Sequence, residues 1–162
     1  MNNPIKYPYL PLGREIKYVP ADNVFMKEAE KIRNELSTDY LVSTGSVIVV
    51  GDKVVARGAN QANIKNKKIR EIHRKGICVR KILNVKTGQK YWLCPGCGDH
   101  RNHSETQAIE DAKKNGANIE GADLYLYGHW WCCQPCWDKM IKAGIKNIYL
   151  LEGSENKFND DV

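Results

Sequence analysis

The feature that most constrains this 162-residue sequence is the spacing of its six cysteines, which form two groups. The groups consist of Cys78, Cys94 and Cys97, and of Cys132, Cys133 and Cys136. Each group contains a C-x-x-C pair, and all four histidines lie near one of the groups. An isolated cysteine usually packs as a small apolar side chain, whereas two C-x-x-C pairs with nearby histidines are typical of metal binding. The sequence therefore predicts a metalloprotein whose fold brings distant ligands together.

Composition and length are those of a soluble globular domain. Hydrophobic residues make up 42% and charged residues 27% of the chain, and its length suits a single domain. The sequence contains no run of about 18 to 20 apolar residues that would span a membrane. The first residues lack the apolar core of a signal peptide. We therefore expect a cytoplasmic protein without a membrane partner, whose thiols stay reduced and free to bind metal.

The first half of the chain predicts a helix followed by a hairpin. Asn23 can cap a helix whose apolar face is formed by Phe25, Ala29, Ile32 and Leu36. Two β-branched runs, Val47–Val50 and Lys53–Ala56, flank the dipeptide Gly51-Asp52, which is typical of a tight hairpin turn.

The second half predicts alternating helices and strands. A helix follows His103 and ends before Gly116, and Asp123–Tyr127 is a strand. A helix over 134–143 and a strand over Lys146–Leu151 complete the pattern. Two β-α-β crossovers predict an α/β fold with a mixed sheet and helices on its faces.

Three segments fall outside this pattern and indicate the domain organisation. Residues 1–22 hold four of the six prolines and predict an extended N-terminal arm, while residues 152–162 predict a polar tail. Residues 61–102 form a basic, cysteine-containing insertion within the main domain, 23–151. A connection of this length is unusual in a compact domain unless something orders it, and bound zinc would do so.

The positive charge of the chain is concentrated in the insertion. Residues 61–102 contain eleven Lys or Arg against two acids, an excess larger than the net charge of +6 of the whole chain. Such a patch suits a partner that carries phosphate. It is equally consistent with a solvated surface insertion.

A candidate catalytic centre combines His103, Glu105, Cys133 and Cys136. Helices that follow strands begin at the same end of an α/β sheet, so the helix starts that carry these residues should converge. One histidine and two cysteines leave a coordination position of zinc for water, the arrangement of a catalytic site. Glu105, two residues after the histidine, can move protons without binding the metal.

The chain resembles the cytidine and deoxycytidylate deaminase superfamily, in particular its deoxycytidylate (dCMP) deaminases. The resemblance is carried by the segments HSETQAI, ADLYLY, CQPC and MIKAGIKNIYLL, and upstream by GSVIVV and VARGAN. The resemblance covers roughly residues 23–151. It implies a three-layer α-β-α cytidine deaminase-like fold with a central mixed sheet and a zinc-binding insertion. It also implies a catalytic zinc on His103, Cys133 and Cys136, Glu105 as proton shuttle, and a homo-oligomer.

The resemblance implies substrate contacts as well. Asn60 of the G-x-N motif would hydrogen-bond the sugar hydroxyl, although a plain turn asparagine is the alternative. His129 and Trp130 would lie at the mouth of the site, where flat rings stack on a base, and Tyr127 is a further candidate wall. An alternative is that the tryptophans pack under the loop or cover a partner subunit.

One departure from the family pattern concerns the first cysteine ligand, because Cys132 precedes Cys133 and the usual proline is absent there. The distance from Cys136 to Gly144 matches the family's span from its second cysteine to the end of the helix. The two-residue gap then favours Cys133 over Cys132.

The first cysteine group predicts a second, structural zinc. Cys78, Cys94 and Cys97 would supply three ligands, and the glycine in LCPGC is typical of a zinc knuckle. His73 is favoured as the fourth ligand, with His100 as the alternative. Deoxycytidylate deaminases resemble this chain in often carrying such a zinc.

These features predict a zinc-dependent enzyme that converts a small pyrimidine nucleotide, dCMP, to dUMP and ammonia. A tRNA adenosine or polynucleotide cytosine deaminase, for which the basic insertion would contact nucleic acid, is the first alternative, and a free-nucleoside deaminase is another. A catalytically inactive zinc-ribbon module that binds nucleic acid is the non-enzymatic alternative. Intact Glu105 argues against it, because a binding module needs no proton shuttle.

Overall fold

A computed structural model of the chain describes residues 8–86 and 89–156. The first seven residues of the predicted arm, two residues of the insertion and the last six residues of the predicted tail lie outside the described residues.

Helices and strands alternate along the chain as the sequence predicts. The strands of the described chain are β1 (Ile16–Val19), β2 (Gly45–Val50), β3 (Lys53–Ala59), β4 (Asp123–Tyr127) and β5 (Asn147–Leu151). Its α-helices are α1 (Val24–Leu36), α2 (Lys67–Arg74), α3 (Val79–Ile82), α4 (Ser104–Asn115) and α5 (Gln134–Lys142). A short 3-10 turn covers Tyr91–Leu93.

The strands form one mixed sheet in the order β1-β5-β4-β2-β3. β5 pairs in parallel with both β1 and β4, whereas β2 is antiparallel to β4 and β3. Parallel neighbours require crossover connections, which α5 provides between β4 and β5. The predicted mixed sheet is therefore confirmed.

Helices cover both faces of the sheet, which confirms the predicted three-layer architecture. On one face, α1 packs Met26, Ala29 and Ile32 against Val47, Val49, Ala59 and Tyr125. On the other face, α4 and α5 bury a larger core that includes Ile48, Ala108, Ile109, Ala112, Leu124, Leu126, Trp137 and Met140. The two faces take alternate residues of β2 and β4, as the period of a strand requires.

Local signals account for the start of α1 and for the hairpin. The Asn23 side chain accepts hydrogen bonds from the backbone amides of Phe25 and Met26, 3.0 and 3.1 Å away, and so caps the helix. Gly51 and Asp52 both have positive φ, 53° and 63°, as a two-residue hairpin turn between right-twisted strands requires. Leu36, predicted on the buried face of α1, is instead 51% exposed because it lies in the last turn of the helix.

Part of the predicted arm forms an edge strand that the sequence pattern did not reveal. Ile16–Val19 pairs with Ile148–Leu151, and the Arg14 guanidinium donates to the carbonyls of Ile145 and Lys146 at 3.1 and 3.0 Å. This strand is only four residues long, and the neighbour that holds it is more than 120 residues away in sequence. Its pairing therefore depends on the completed sheet rather than on local pattern.

The insertion contributes α2, α3 and the 3-10 turn but no strand within its described residues. It has its own small buried cluster of Cys78, Cys94 and Cys97, with Leu41 and Tyr91 packed against it. Among the described residues, no helix combines the length and the apolar character that crossing a membrane would require.

Helix α4 approaches β3 so closely that only glycine fits at the contact. A Cβ atom at Gly58 would overlap the backbone oxygen of Ser104 and the backbone nitrogen of Ala108. We therefore expect Gly58→Ala to lower the free energy of unfolding by about 1 to 3 kcal/mol, the usual cost of overpacking. Urea denaturation measures this loss.

The neighbouring exposed residue provides a control. Arg57→Ala removes a surface ion pair with Glu28 and should cost less than about 1 kcal/mol. Equal unfolding midpoints for Gly58→Ala and the wild type would contradict the close packing of α4 on β3.

Candidate active site and metal centres

Two helix starts meet on the same face of the sheet and carry the first group of candidate ligands. His103 is the residue that precedes α4, and Cys133 is the residue that precedes α5. Cys136 lies in the first turn of α5, three residues after Cys133. Both helices pack in the larger core, and their starts are therefore held side by side.

The donor atoms of this cluster are spaced as zinc requires. His103 Nδ1 lies 3.5 Å from Cys133 Sγ and 3.4 Å from Cys136 Sγ. A tetrahedral zinc ion with its usual bond lengths separates nitrogen and sulfur ligands by about 3.6 Å. The residues present thus fit zinc. With three protein donors, one coordination position is left for water or substrate, as in catalytic sites.

The electrostatics of the cluster favour a thiolate at Cys133, whereas hydrogen bonding to Cys133 and burial raise the pKa of Cys136 well above its ordinary value. Hydrogen bonding from Cys136, together with the nearby His103, lowers the pKa of Cys133 below its ordinary value although burial opposes this. Burial works to lower the pKa of His103, but contact with Cys133 outweighs it and raises that pKa. A metal ion bound to the cluster would displace the protons that His103 and Cys136 favour in its absence.

Cys132, the alternative ligand, packs in the core, where its thiol contacts the Glu105 carboxyl. Its side chain is fully buried in the core that α4 and α5 share, and burial raises the pKa of its thiol well above the usual value. It does not belong to the His103, Cys133 and Cys136 group. The N-terminal position of Cys133 on α5 is what turns that residue toward His103.

Glu105 lies in the first turn of α4, is 5% exposed, and lines the same cavity as His103 and Cys133. Burial raises the pKa of its carboxyl, although the positive charge of His103 opposes the shift. A buried carboxyl next to a metal site is well suited to moving protons.

A chain of buried hydroxyl groups orients this carboxylate, and the sequence pattern did not reveal it. Thr44 and Ser46 both donate to Ser104 Oγ, at 3.0 and 2.9 Å, and Ser104 donates to Glu105 Oε2 at 3.2 Å. With two donors directed at its oxygen, the Ser104 hydroxyl is left to donate toward Glu105. The available signal was the pair of hydroxyl residues, Thr44 and Ser46, on either side of the glycine that begins β2.

The second cluster brings together His73, Cys78, Cys94 and Cys97, all of them buried. Cys97 Sγ lies 3.6 Å from Cys78 Sγ and 3.5 Å from His73 Nε2. Tetrahedral zinc separates two sulfur ligands by about 3.8 Å and a sulfur and a nitrogen by about 3.6 Å. Four donors without an open position are typical of a structural zinc site. His100, the alternative ligand, is exposed and is not part of this group.

The surroundings of His73 support its placement in this cluster. Asp39 Oδ1 lies 3.5 Å from His73 Nδ1, so a carboxylate backs the histidine as in many zinc sites. Burial works to lower the pKa of His73, but Asp39 and the two nearest cysteines outweigh it and raise that pKa to about 11. A Cβ at Gly96 would overlap the His73 ring, which explains the glycine between the two knuckle cysteines.

A cavity of about 260 Å³ lies between the two clusters. Its walls include His103, Glu105 and Cys133 from the first cluster and its surroundings, and His73, Cys78 and Cys97 from the second. The insertion is therefore part of the cavity wall rather than a separate surface appendage.

Aromatic side chains from the loop before α5 also line the cavity. His129, Trp130 and Trp131 all contribute to its wall. The Trp130 backbone amide donates to His129 Nδ1 at 2.9 Å, and burial, with repulsion from His103, lowers the pKa of His129 to about 3. His129 is therefore neutral, with its hydrogen on Nε2. Trp130 Nε1 is buried and has no hydrogen-bond partner among the described residues.

Asn60 lines the cavity, but its amide is already engaged within the protein. Its Oδ1 accepts from Thr44 N at 2.8 Å and Ser37 Oγ at 2.6 Å, and its Nδ2 donates to Val42 O at 2.6 Å. Asn60 therefore ties down the loop between α1 and β2. One amide hydrogen remains for a ligand.

Tyr127, a candidate pocket wall in the sequence analysis, is not among the residues that line the main cavity. Because residues alternate along β4, its ring points to the α1 face, where the Arg33 guanidinium lies 5.0 Å from the ring centre. It lines a smaller cavity that it shares with Arg33, Gly128 and Leu151. The structure thus contradicts its assignment to the main site.

The geometry predicts two zinc ions per chain. We expect Cys133→Ser and Cys94→Ser each to reduce the zinc content measured by atomic emission from two per chain to one, because each removes a donor from a different cluster. Cys132→Ala should keep both ions. Loss of a zinc ion on Cys132→Ala, with Cys133→Ser retaining two, would contradict the ligand assignment.

Comparisons with known proteins give one family match and several similar solved structures. No curated protein matches the chain in sequence. Among solved structures, dCMP deaminase from the cyanophage S-TIM5, in complex with dCMP and dUMP, is 17% identical; the match covers 83% of this chain and 85% of that one, with a TM-score of 0.48. Guanine deaminase from Bacillus subtilis is 20% identical, with coverages of 85% and 68% and a TM-score of 0.47.

A third solved structure is a two-part enzyme of Thermotoga maritima, a diaminohydroxyphosphoribosylaminopyrimidine deaminase and 5-amino-6-(5-phosphoribosylamino)uracil reductase. It is 20% identical over 84% of this chain, with a TM-score of 0.45, and the chain spans 33% of its length. The family model described as the cytidine and deoxycytidylate deaminase zinc-binding region matches residues 20–152. This match covers most of the sequence, and the chain therefore belongs to the cytidine and deoxycytidylate deaminase family of zinc-binding proteins.

Proposed function

We propose that this protein is a zinc-dependent hydrolase that converts dCMP and water to dUMP and ammonia. The observation that carries the proposal is a buried carboxylate, Glu105, in the same cavity as a cluster of three metal donors. A binding module has no need of this combination, whereas hydrolytic deamination requires both parts.

His103, Cys133 and Cys136 would hold the catalytic zinc. When bound there, zinc supplies Lewis acidity that lowers the pKa of water and makes it a nucleophile toward C4 of cytosine. Glu105 would take a first proton from the attacking water and give it to ring nitrogen N3. It would then take the second proton from the oxygen now bound to C4 and give it to the amino group, which leaves as ammonia as the C4–N bond breaks. The hydrogen bond from Ser104 keeps the Glu105 carboxylate in one orientation during these transfers.

The substrate base would be held by the loop before α5. His129 and Trp130 offer ring faces for stacking, and the Nε1 hydrogen of Trp130 offers a donor to a base carbonyl. The remaining amide hydrogen of Asn60 is available to the sugar hydroxyl. Arg80 and Lys81 of the insertion also line this cavity, which favours a nucleotide over a neutral nucleoside.

The proposal extends to the organisation of the protein. Residues 23–151 would form the deaminase domain, and residues 152–162 would form a polar tail. Residues 61–102 would be an insertion in that domain, with a structural zinc on His73, Cys78, Cys94 and Cys97. Enzymes that resemble this chain generally form dimers or larger homo-oligomers, so we propose that this protein is also a homo-oligomer. We propose in addition that it is cytoplasmic.

A second candidate function is deamination of a base within a polynucleotide. Nine of the eleven basic residues of the insertion are not among the residues that line the cavity, and such cations can contact a phosphate backbone. The small volume of the cavity, about 260 Å³, favours the mononucleotide, because a polynucleotide would have to present a flipped base there.

Glu105→Gln tests the chemistry. We expect kcat for dCMP to fall by at least about 100-fold, because the amide cannot accept a proton, while zinc content stays at two per chain. Release of ammonia and the change in ultraviolet absorbance measure the turnover. Glu110→Gln is the matched control, since Glu110 lies on the same helix but has a side chain that is 47% exposed and pairs with Lys113 at the surface.

A panel of substrates separates the candidate functions. The wild type is expected to turn over dCMP faster than CMP, deoxycytidine or a tRNA anticodon stem-loop. Faster turnover of the stem-loop would favour the polynucleotide enzyme. Tight RNA binding without turnover of any substrate would show that the protein is a binding module.

A further inference from the structure

The basic insertion places only part of its charge at the active-site cavity. Of its eleven Lys and Arg residues, Arg80 and Lys81 are the two found among the residues that line the cavity. They are adjacent in sequence and belong to α3, which begins directly after the metal-cluster residue Cys78.

Arg80 is held in place before any ligand arrives. Its guanidinium lies 4.0 Å from the centre of the Tyr91 ring, its Nε donates to Gln89 O at 2.9 Å, and its Nη2 donates to Lys86 O at 3.2 Å. Its Nη1 is 4.0 Å from Cys97 Sγ in the second cluster. The side chain therefore presents a fixed positive charge, and no carboxylate neutralises it among the described residues.

Lys81 is positioned by the same cluster but keeps its ammonium group free. Its backbone amide hydrogen-bonds the Cys78 sulfur, which fixes the start of the side chain. No hydrogen bond or ion pair engages its ammonium group within the described residues. The residue is exposed at the edge of the cavity, so the ammonium group can reach a ligand inside.

The acids that line the cavity do not offset these two charges. Asp39 accepts from the backbone amides of Leu41 and Val42 and faces His73. Glu105 is buried and engaged by Ser104. Two cations without a carboxylate partner on the wall of a small cavity are complementary to an anion, above all to a phosphate monoester with its double charge.

We propose that Lys81, with Arg80 beside it, forms the phosphate subsite of this cavity and selects a 5′-mononucleotide. The inference rests on the proposed deaminase function and adds the residues that recognise the substrate phosphate. It also gives the second metal cluster a role in specificity, because Cys78 and Cys97 hold the segment that carries both cations.

Lys81→Gln tests the subsite. The ratio of kcat/KM for dCMP to kcat/KM for deoxycytidine is expected to fall at least about tenfold, the loss typical of a hydrogen bond to a charged group. Calorimetric affinity for dUMP should fall by the same factor, and this second measurement does not depend on turnover. Lys68→Gln removes the same charge from an exposed position on α2 outside the cavity and should change neither value.

The outcomes separate this inference from the proposed function. A wild type that does not deaminate dCMP would overturn the function itself. A wild type that deaminates dCMP, with an unchanged ratio and unchanged dUMP affinity in Lys81→Gln, would overturn the subsite alone. A wild type that prefers a single-stranded oligonucleotide containing dC over dCMP, with that preference reduced by Lys81→Gln, would assign Lys81 to a polynucleotide backbone and likewise overturn the mononucleotide subsite.

Discussion

The packing of α4 and α5 against the sheet is the constraint on which the rest of the structure depends, because it brings together the donor atoms of His103, Cys133 and Cys136. These residues come from the starts of two helices that are thirty residues apart in sequence, and their donor atoms lie within 4.8 Å of one another. Holding donor atoms this close together requires elements whose side chains are locked in position by a rigid scaffold. The sheet provides that rigidity, since α4 rests directly on the backbone of β3 at Gly58 and α5 crosses between two parallel strands. The core thus acts as the support of a reactive centre.

The second cluster solves a different physical problem. The insertion leaves many of its large apolar side chains exposed, among them Ile77, Ile82 and Trp92. Burial of apolar surface therefore cannot by itself offset the entropy lost on ordering so long a segment. Four buried metal donors supply the missing interactions, and Asp39 from the main domain anchors one of them. The same cluster is linked to the active centre by a chain of contacts. Arg80 stacks on Tyr91, and the Tyr91 ring meets the His103 ring edge-on with their centres 5.4 Å apart. Order in the insertion and geometry at the active centre are therefore physically connected.

Much of the fold could be predicted because its signals are local. Gly51-Asp52 specifies the hairpin turn, Asn23 caps α1, and the periodic apolar residues of α4 face the core, as the sequence pattern indicates. Strand β1 could not be predicted in this way, since it is stable only when β5 is already in place beside it. The prediction that Tyr127 lines the main cavity was wrong for a related reason. Its position at the end of β4 suggested the active-site edge, but alternation along the strand turns its ring to the opposite face of the sheet.

The sequence by itself determined the chemistry available to this protein. The H-x-E and C-x-x-C spacings, together with the second set of cysteines, specify two donor sets and a proton-transfer group, because ligand type and helical spacing are properties of short segments. Only the tertiary structure decided how those groups are arranged. It separated Cys133 from Cys132, placed His73 rather than His100 in the second cluster, and engaged Asn60 in holding a loop. It also brought Thr44, Ser46 and Ser104 into one hydroxyl chain and put Lys81 at the cavity. These relations join residues far apart in sequence, and distances between such residues are set by packing, which no local pattern encodes.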